Sequence, residues 1–333
     1  VAAYKTIKER KNLFAQAPTG IGKTMSTLFP SIISLGEGTI SKIFYLTAKT
    51  ITREIPIKSM ELLMNNGLRA KTLVITAKDK ICLSDEVKCN PRDCTYAKGH
   101  YDRVNEAIMD LFKNEDMITR DIVLEYSKKH NVCPFEFSLD ISLWADVVIC
   151  DYNYVFDPQV YLKRFFDGFT RDYVFLVDEA HNLVDRSREM FSAQINKADI
   201  LDLRGIFKDK YSSLYKAFNK CNSIMNNLKK GIDKENFYQK EEITELYYPI
   251  KRIITLMEPW LIQEKEHEDY DKVMNFYFKL ITYIKISDFY DEHYVTSIEV
   301  MDRDMIIKLY CVDSSYLLNE SLKRGRSGVF FSA

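Results

Sequence analysis

The chain has 333 residues, of which 46% are hydrophobic and 29% are charged, and its formal net charge is −1 at pH 7. The length predicts two or three subdomains, and the ordinary composition of a soluble protein supplies ample material for their cores. The nearly neutral charge excludes global attraction to nucleic acid. No apolar run is long enough to span a membrane, and Val1 opens no signal peptide, so we expect a cytoplasmic protein.

Residues 17–24 form a predicted phosphate-binding loop, although Ala17 stands where the full motif has glycine. A short apolar segment before the loop predicts a buried strand, and the segment from residue 25 to about 35 predicts the helix whose N-terminus faces the phosphates. We expect Lys23 to contact the β- and γ-phosphates of ATP and Thr24 to bind Mg²⁺. A glycine-containing turn that binds nothing is the alternative. The predicted nucleotide contacts are Pro18, Thr19, Gly20, Ile21, Gly22, Lys23 and Thr24.

Apolar strand patterns alternate with helical ones along the chain, which predicts an α/β fold with a parallel sheet. The strands are predicted at residues 12–15, 43–47, 73–76, 145–150, 173–177 and 328–333. Residues 78–140 interrupt this alternation and show no β pattern, and a second interruption with helical periodicity runs from about 192 to 293. Two strand-like runs, 297–300 and 305–312, follow it.

Asp178 and Glu179 follow directly on the strand at 173–177. An acidic pair at a strand end suits nucleotide chemistry opposite a phosphate loop: Asp178 would hold Mg²⁺, and Glu179 would orient or deprotonate the attacking water. Such a pair alone is common on protein surfaces. Together with the phosphate loop, it predicts an ATP-hydrolysing site with Glu179, Asp178 and Lys23 as its catalytic residues.

Four of the seven cysteines lie close together in the sequence, at Cys82, Cys89, Cys94 and Cys133. Six residues separate Cys82 from Cys89, four separate Cys89 from Cys94, and proline follows Cys133. Four thiolates suit a [4Fe–4S] cluster, and a proline after the last ligand is a frequent companion. Zinc and four unliganded thiols are the alternatives, although zinc usually brings tighter pairs. Three further cysteines, at 150, 221 and 311, are predicted to be core residues.

Residues 17–24, 178–181 and 332–333 resemble motifs I and II and the start of motif III of superfamily 2 helicases, and residues 47–50 resemble motif Ia. With four cysteines between motifs Ia and II and a helical insert between motifs II and III, the chain is similar to the XPD/DinG branch of iron–sulfur, 5′-to-3′ DNA helicases. The resemblance implies a RecA-like motor domain that uses ATP, Mg²⁺ and a [4Fe–4S] cluster. Its implied partners are single-stranded DNA or single/double-strand junctions, with no membrane and a monomeric state.

The resemblance also divides the chain. It assigns residues 1–77, 141–191 and 294–333 to the motor domain, 78–140 to the iron–sulfur insert, and 192–293 to a helical arch-like insert. The family's second motor domain and the segment that reads adenine are not in this sequence. We therefore expect the isolated chain to bind nucleotide weakly and to hydrolyse ATP poorly.

The predicted DNA contacts are Thr47, Lys49 and Thr50, from the motif Ia resemblance. His181 is predicted to be a further nucleotide-binding residue. In this family it couples the nucleotide site to motif III, where Ser332 and Ala333 are the candidates here; a simple packing contact is the alternative. Basic and aromatic side chains near the cysteines could line a groove for a single strand, although each is commonly a solvated surface residue. They are Lys80, Lys88, Arg92, Lys98, Arg103, Tyr96, Tyr101 and Phe135.

Two other functions fit the same sequence. One is a nuclease or translocase of this family that uses the motor for regulation or processivity. The other is a non-catalytic module that binds single-stranded DNA and carries a structural metal.

Overall fold

The computed structural model describes residues 1–333 except 49, 85, 86, 88, 90, 167–171, 233, 234 and 303, and for 50 and 51 it describes the backbone alone. The chain divides into two compact units. The first combines Val1–Val184 with Leu317–Ala333, and the second is Asp185–Tyr316.

The strands are β1 (Leu13–Gln16), β2 (Lys42–Thr47), β3 (Thr72–Val74), β4 (Met117–Ile118), β5 (Val147–Asp151), β6 (Tyr173–Asp178), β7 (Ala193–Asn196), β8 (Asn236–Gln239), β9 (Tyr294–Val300), β10 (Met305–Cys311) and β11 (Ser327–Ser332). The helices are α1 (Ala2–Lys8), α2 (Lys23–Gly36), α3 (Glu54–Asn65), α4 (Lys78–Ile81), α5 (His100–Asn114), α6 (Arg120–His130), α7 (Pro134–Ser142), α8 (Asn153–Phe156), α9 (Lys163–Phe166), α10 (Asn182–Met190), α11 (Lys197–Ile206), α12 (Ser212–Lys230), α13 (Thr244–Gln263), α14 (Tyr270–Ser287) and α15 (Ser315–Leu322). A 3₁₀ turn covers Thr50–Arg53.

The first unit is built on a parallel sheet, which confirms the predicted α/β fold. Among the described residues the sheet has seven strands in the order β1-β11-β6-β2-β5-β3-β4, and each neighbouring pair is parallel. Strands β2 and β6 are buried along their whole length, as expected for apolar strands covered on both faces. Because all the strands run in one direction, the segments that follow β1, β2 and β6 emerge at the same edge.

The two faces of this sheet carry different cores. On one face aliphatic side chains such as Ile43, Ile149 and Val329 pack with Leu28 of α2 in one hydrophobic cluster. On the other face Phe44 packs against Tyr173 and Phe165, at centroid distances of 5.7 and 5.5 Å. Alternation of side chains along β2 therefore sends Tyr45 toward α2 and Phe44 away from it.

Residues 78–140 depart from the prediction in one respect. They are largely helical, as α4 to α7, but they also contribute β4, which pairs in parallel with β3 at the sheet edge. The sequence analysis found no β pattern here because a strand of two residues is too short to show a period of two.

The second unit combines helices with an antiparallel sheet, whereas the sequence predicted helices alone up to residue 293. Its sheet has the order β7-β10-β9-β8, and helices α11–α14 contribute a core in which Phe207 lies 5.6 Å from Trp260 between ring centroids. Strands β9 and β10 lie in this sheet, although the predicted boundary placed them in the last part of the motor domain. Their alternating burial is typical of antiparallel strands with one solvated face, and that alternation distinguishes them from β2 and β6.

None of the helices that the structure describes is long and apolar enough to cross a membrane.

Candidate active site

The loop between β1 and α2 has the backbone of a phosphate-binding turn. Gly20 and Gly22 both lie in the left-handed region, with φ of +84° and +82°. A side chain at either position would meet no atom within 4 Å, so the backbone conformation, and not space, favours glycine there. Gly22 is the N-cap of α2, and the first N–H groups of that helix are therefore directed into the loop.

Lys23 folds back over this loop. Its Nζ donates a hydrogen bond to the carbonyl oxygen of Ala17 at 2.9 Å. The N–H of Ala17 in turn donates to the carbonyl oxygen of Ser332 at 3.0 Å, which fixes the start of the loop to the end of β11. An ammonium group held beside a ring of backbone N–H groups is an arrangement that binds phosphate oxygens.

Asp178, at the end of β6, is connected to the phosphate loop through a residue of β2. The hydroxyl of Tyr45 lies 2.9 Å from Oδ2 of Asp178 and 3.3 Å from Oγ1 of Thr24. Strands β1 and β6 are not neighbours in the sheet, because β11 lies between them. The two predicted segments nevertheless converge at the same sheet edge, on either side of the Tyr45 hydroxyl.

The Asp178 carboxylate is buried, with 6% of the residue exposed. Burial raises the pKa of its carboxyl, the neighbouring Glu179 adds to that effect, and the hydrogen bond from Tyr45 and the positive charge of Lys23 act against it. Its Oδ1 accepts a hydrogen bond from the N–H of Glu179 at 2.9 Å. A buried carboxylate with a lysine charge nearby is suited to binding a divalent cation.

Glu179 begins a turn with an unusual backbone. Its φ of +48° lies in the left-handed region, which costs a non-glycine residue about 1–2 kcal/mol. The buried Tyr152 hydroxyl lies beside the carbonyl oxygens of Asp178 and Glu179 and stabilises this turn with its single proton, which the two oxygens share. Strain of this kind is often found where a side chain must take a particular direction at a functional site.

The side chains of Glu179, His181 and Ser332 meet at the end of β11. Nδ1 of His181 lies 2.6 Å from Oγ of Ser332 and 3.4 Å from Oε2 of Glu179, and the Ser332 hydroxyl lies 3.4 Å from the same carboxylate oxygen. The contact between His181 and Ser332 is the one that the sequence led us to expect. It joins residues 178–181, which we call the acidic turn, to β11, the strand that lies beside β1.

The four clustered cysteines line a single cavity of about 190 Å³, together with Lys78, Tyr96, His100 and Pro134. Cys133 is the N-cap of α7, and its N–H donates to Nδ1 of the buried His100 at 3.2 Å. Among the described residues no three His, Cys, Asp or Glu side chains are arranged to hold one metal ion.

The predicted DNA contacts are only partly described. Thr47 is fully buried, and its hydroxyl lies 3.4 Å from both the carbonyl oxygen of Cys150 and Nε of Arg53. Its side chain is thus inside the sheet, because it is the last residue of a strand covered on both faces. Lys49, the side chain of Thr50 and Lys88 lie outside the described residues. Arg103, another candidate, instead donates to the carbonyl oxygens of Lys98, His130 and Asn131.

A larger cavity, of about 750 Å³, opens beside the cysteine cavity. Basic and aromatic side chains are prominent in its lining, several of which the sequence analysis missed because they come from separate segments. They are Arg53, Lys78, Lys80, Lys163, Arg164, Phe135, Tyr154 and Tyr161. Lys78 and Phe135 line both cavities.

Comparison with known proteins finds similarity to one family model and to proteins named as helicases. A family model described as "DEAD_2" matches residues 40–200. The human "Regulator of telomere elongation helicase 1" is 24% identical over 149 residues, which cover 41% of this chain and 12% of that protein. The Gallus gallus "Fanconi anemia group J protein homolog" is 31% identical over 78 residues, which cover 23% of this chain and 6% of that protein. These matches span well under two thirds of the relatives' length.

Two solved structures share the fold across nearly the whole chain. The structure titled "XPD_Helicase" is similar with a TM-score of 0.60 at 16% sequence identity, covering 99% of this chain and 56% of that one. The structure titled "Truncated XPD" gives the same score and identity, and 91% of it is covered.

Proposed function

The chain belongs to the XPD/DinG-like family of superfamily 2 helicases, and from this premise we propose that it is the first motor domain of an ATP-dependent DNA helicase that moves 5′ to 3′ along a single strand. The observation that carries the proposal is the convergence of the phosphate loop and the acidic turn at one sheet edge, where Thr24 and Asp178 lie on either side of the Tyr45 hydroxyl. Hydrolysis of ATP at this edge is the reaction that this set of side chains supports best.

Each side chain has a separate part in the proposed reaction. The loop N–H groups and Lys23 would bind the β- and γ-phosphates. Thr24 and Asp178 would hold Mg²⁺, which would supply positive charge to the transferred phosphoryl group. Glu179 orients the attacking water and accepts its proton. His181 and Ser332 keep the Glu179 carboxylate in place and transmit changes in the nucleotide site to β11.

We also propose that the larger cavity accepts the DNA strand. Lysine and arginine side chains bind phosphates, and aromatic rings stack on bases without sequence preference. Phe135, Tyr154 and Tyr161 supply the rings, and the basic side chains of the same cavity supply the charge. A local basic surface of this kind allows DNA binding in a protein whose formal net charge is only −1.

The four clustered cysteines are proposed to hold a [4Fe–4S] cluster. In a tetrahedral zinc site neighbouring thiolates lie about 3.8 Å apart, whereas the thiolates of a cluster each bind a different iron and stand further apart. The proposal is supported by the single cavity that all four cysteines line. The cluster would crosslink segments around residues 82–94 and 133, which is a structural function.

By its position between motifs II and III, Asp185–Tyr316 is proposed to be the arch-like insert. The proposed compartment is the cytoplasm, and the seven cysteines, all free in this structure, agree with a reducing environment.

The proposed function is tested with ATP hydrolysis and strand-separation assays on a protein that contains this chain and a second motor domain. Wild type is expected to hydrolyse ATP faster with single-stranded DNA, and Glu179→Gln is expected to bind ATP but to lose roughly 10²–10⁴-fold in hydrolysis. Unwinding that persists in Lys23→Ala would favour the non-catalytic binding module instead.

The cluster is tested separately by metal analysis. Protein purified without air is expected to contain about four irons and matching sulfide per chain, and Cys133→Ser should lose much of this iron. Cys221→Ser is the matched control, since Cys221 is buried in α12 of the second unit and does not line the cysteine cavity. Zinc in place of iron, or equal iron in both variants, would contradict the assignment.

A further inference from the structure

The hydroxyl of Tyr45 occupies the space between the two side chains proposed to bind the divalent cation. It lies 2.9 Å from Oδ2 of Asp178 and 3.3 Å from Oγ1 of Thr24. Tyr45 is fully buried, and its ring contacts Phe331 edge-on at a centroid distance of 6.1 Å. The ring therefore has a fixed position in the core, and the hydroxyl has a fixed position at the sheet edge.

The chemistry of the three groups determines where their protons lie. An ionised carboxylate only accepts hydrogen bonds, so the single proton of the Tyr45 hydroxyl is donated to Asp178. The Tyr45 oxygen then has only lone pairs for Thr24, and the Thr24 hydroxyl must donate to it. This arrangement points the Thr24 proton toward Tyr45 and leaves the lone pairs of the threonine oxygen available to a cation.

The Asp178 carboxylate is held at both oxygens. Tyr45 donates to Oδ2, and the N–H of Glu179 donates to Oδ1 at 2.9 Å. Each oxygen keeps a further lone pair, and the carboxylate plane has little freedom to rotate.

We propose that Tyr45 is a positioning residue for the divalent cation: it orients the Asp178 carboxylate and directs the Thr24 hydroxyl so that both present oxygen lone pairs to Mg²⁺. The inference rests on the proposed nucleotide site. It adds a residue that does not touch the nucleotide and that lies on β2, outside the phosphate loop and the acidic turn.

The test compares nucleotide affinity with and without Mg²⁺ in Tyr45→Phe, using a fluorescent ADP analogue. The phenylalanine ring keeps the contact with Phe331 and removes the hydroxyl alone. Loss of a group that orients metal ligands typically lowers metal affinity 10–100-fold, so we expect the gain in ADP affinity on adding Mg²⁺ to fall about tenfold. Affinity in EDTA should stay at the wild-type value.

Tyr173→Phe is the matched control, because Tyr173 is also buried in the first sheet but stands at the opposite end of β6 from Asp178. It should retain the full effect of Mg²⁺. An equal loss of affinity with and without Mg²⁺ in Tyr45→Phe would reduce Tyr45 to a structural residue and overturn the inference. The inference would also be overturned if Mg²⁺ raised the ADP affinity of Tyr45→Phe as much as it raises that of wild type.

These outcomes are distinguishable from a failure of the proposed function. If wild type binds the ADP analogue and Lys23→Ala does not, the nucleotide site stands whatever Tyr45→Phe does. If wild type does not bind the analogue with or without Mg²⁺, both proposals are overturned together.

Discussion

Hydroxyl groups from outside the recognisable motifs complete this site. Lys23, Asp178 and Glu179 are found from the sequence because their spacing to strands and glycines is characteristic. Tyr45 and Tyr152 are not, since a tyrosine within or next to an apolar strand predicts a core residue. Only the sheet order shows that the Tyr45 hydroxyl reaches Asp178 and that the Tyr152 hydroxyl reaches the turn at Glu179.

The contact between His181 and Ser332 leads to a prediction about coupling. His181→Ala removes a hydrogen bond at 2.6 Å without altering the phosphate loop. Loss of one such bond is worth about 1 kcal/mol, or roughly fivefold to tenfold in rate. We expect ADP affinity to stay at the wild-type value and hydrolysis in the presence of single-stranded DNA to fall by that factor.

The measurement is steady-state ATP hydrolysis with and without an oligonucleotide. His293→Ala is the control, because His293 is partly exposed in the second unit and pairs with Asp291. Equal stimulation by DNA in His181→Ala and wild type would argue for a packing role alone.

At the level of elements, one lysine connects a helix to a strand. Lys42, the first residue of β2, is buried, and its Nζ donates to the carbonyl oxygens of Ser142 at 3.0 Å and of Ala145. Ser142 is the last residue of α7, the helix whose N-cap is Cys133, and Ala145 lies three residues after its end. The ammonium group therefore satisfies carbonyls at the end of α7 that have no partner within the helix, and it joins the cysteine segment to the strand that carries Tyr45.

This burial predicts a dependence of stability on pH. Burial lowers the pKa of Lys42 from 10.5 to about 8, against the opposing charge of Asp146. Between these two values the unfolded chain binds a proton that the folded protein does not, so the free energy of unfolding rises with pH in this window. The free energy of unfolding of wild type, relative to that of Lys42→Met, should rise by about 1–2 kcal/mol between pH 8 and 10.

Urea unfolding of the two proteins at several pH values measures this difference. Lys58→Met is the control, because Lys58 is exposed and its ion pair with Glu54, at 3.7 Å, lies at the surface. Parallel stability profiles for wild type and Lys42→Met across this window would show that Lys42 keeps the same protonation in both states.

The elements that the sequence predicts well are those with a continuous apolar pattern. Strands β2 and β6 are recognised because every residue is buried. Strands β9 and β10 show alternating burial and lie in the second unit, whereas the sequence analysis placed a domain boundary before them because they follow the helical block. Strand β4 was missed because its two residues carry no period, and its identity depends on pairing with β3.

At the level of the whole molecule, the account depends on bringing distant segments of the first unit together. The phosphate loop follows β1, the acidic turn follows β6, and β11, which comes from the last residues of the chain, lies between those strands. The residues that line the cysteine cavity and the larger basic cavity belong to the same unit. Sequence motifs predict that these segments belong to one site, whereas the order of the strands could not be read from them.

The most direct test of the central claim is the effect of Mg²⁺ on ADP affinity in Asp178→Ala and Lys23→Ala, measured by calorimetry on a protein that contains this chain and a second motor domain. If both side chains act on one bound nucleotide, Asp178→Ala should lose the gain in affinity that Mg²⁺ brings while keeping the affinity measured in EDTA. Lys23→Ala should lose affinity under both conditions. Wild-type binding of Mg²⁺ and ADP by Asp178→Ala would show that the acidic turn and the phosphate loop do not form one site.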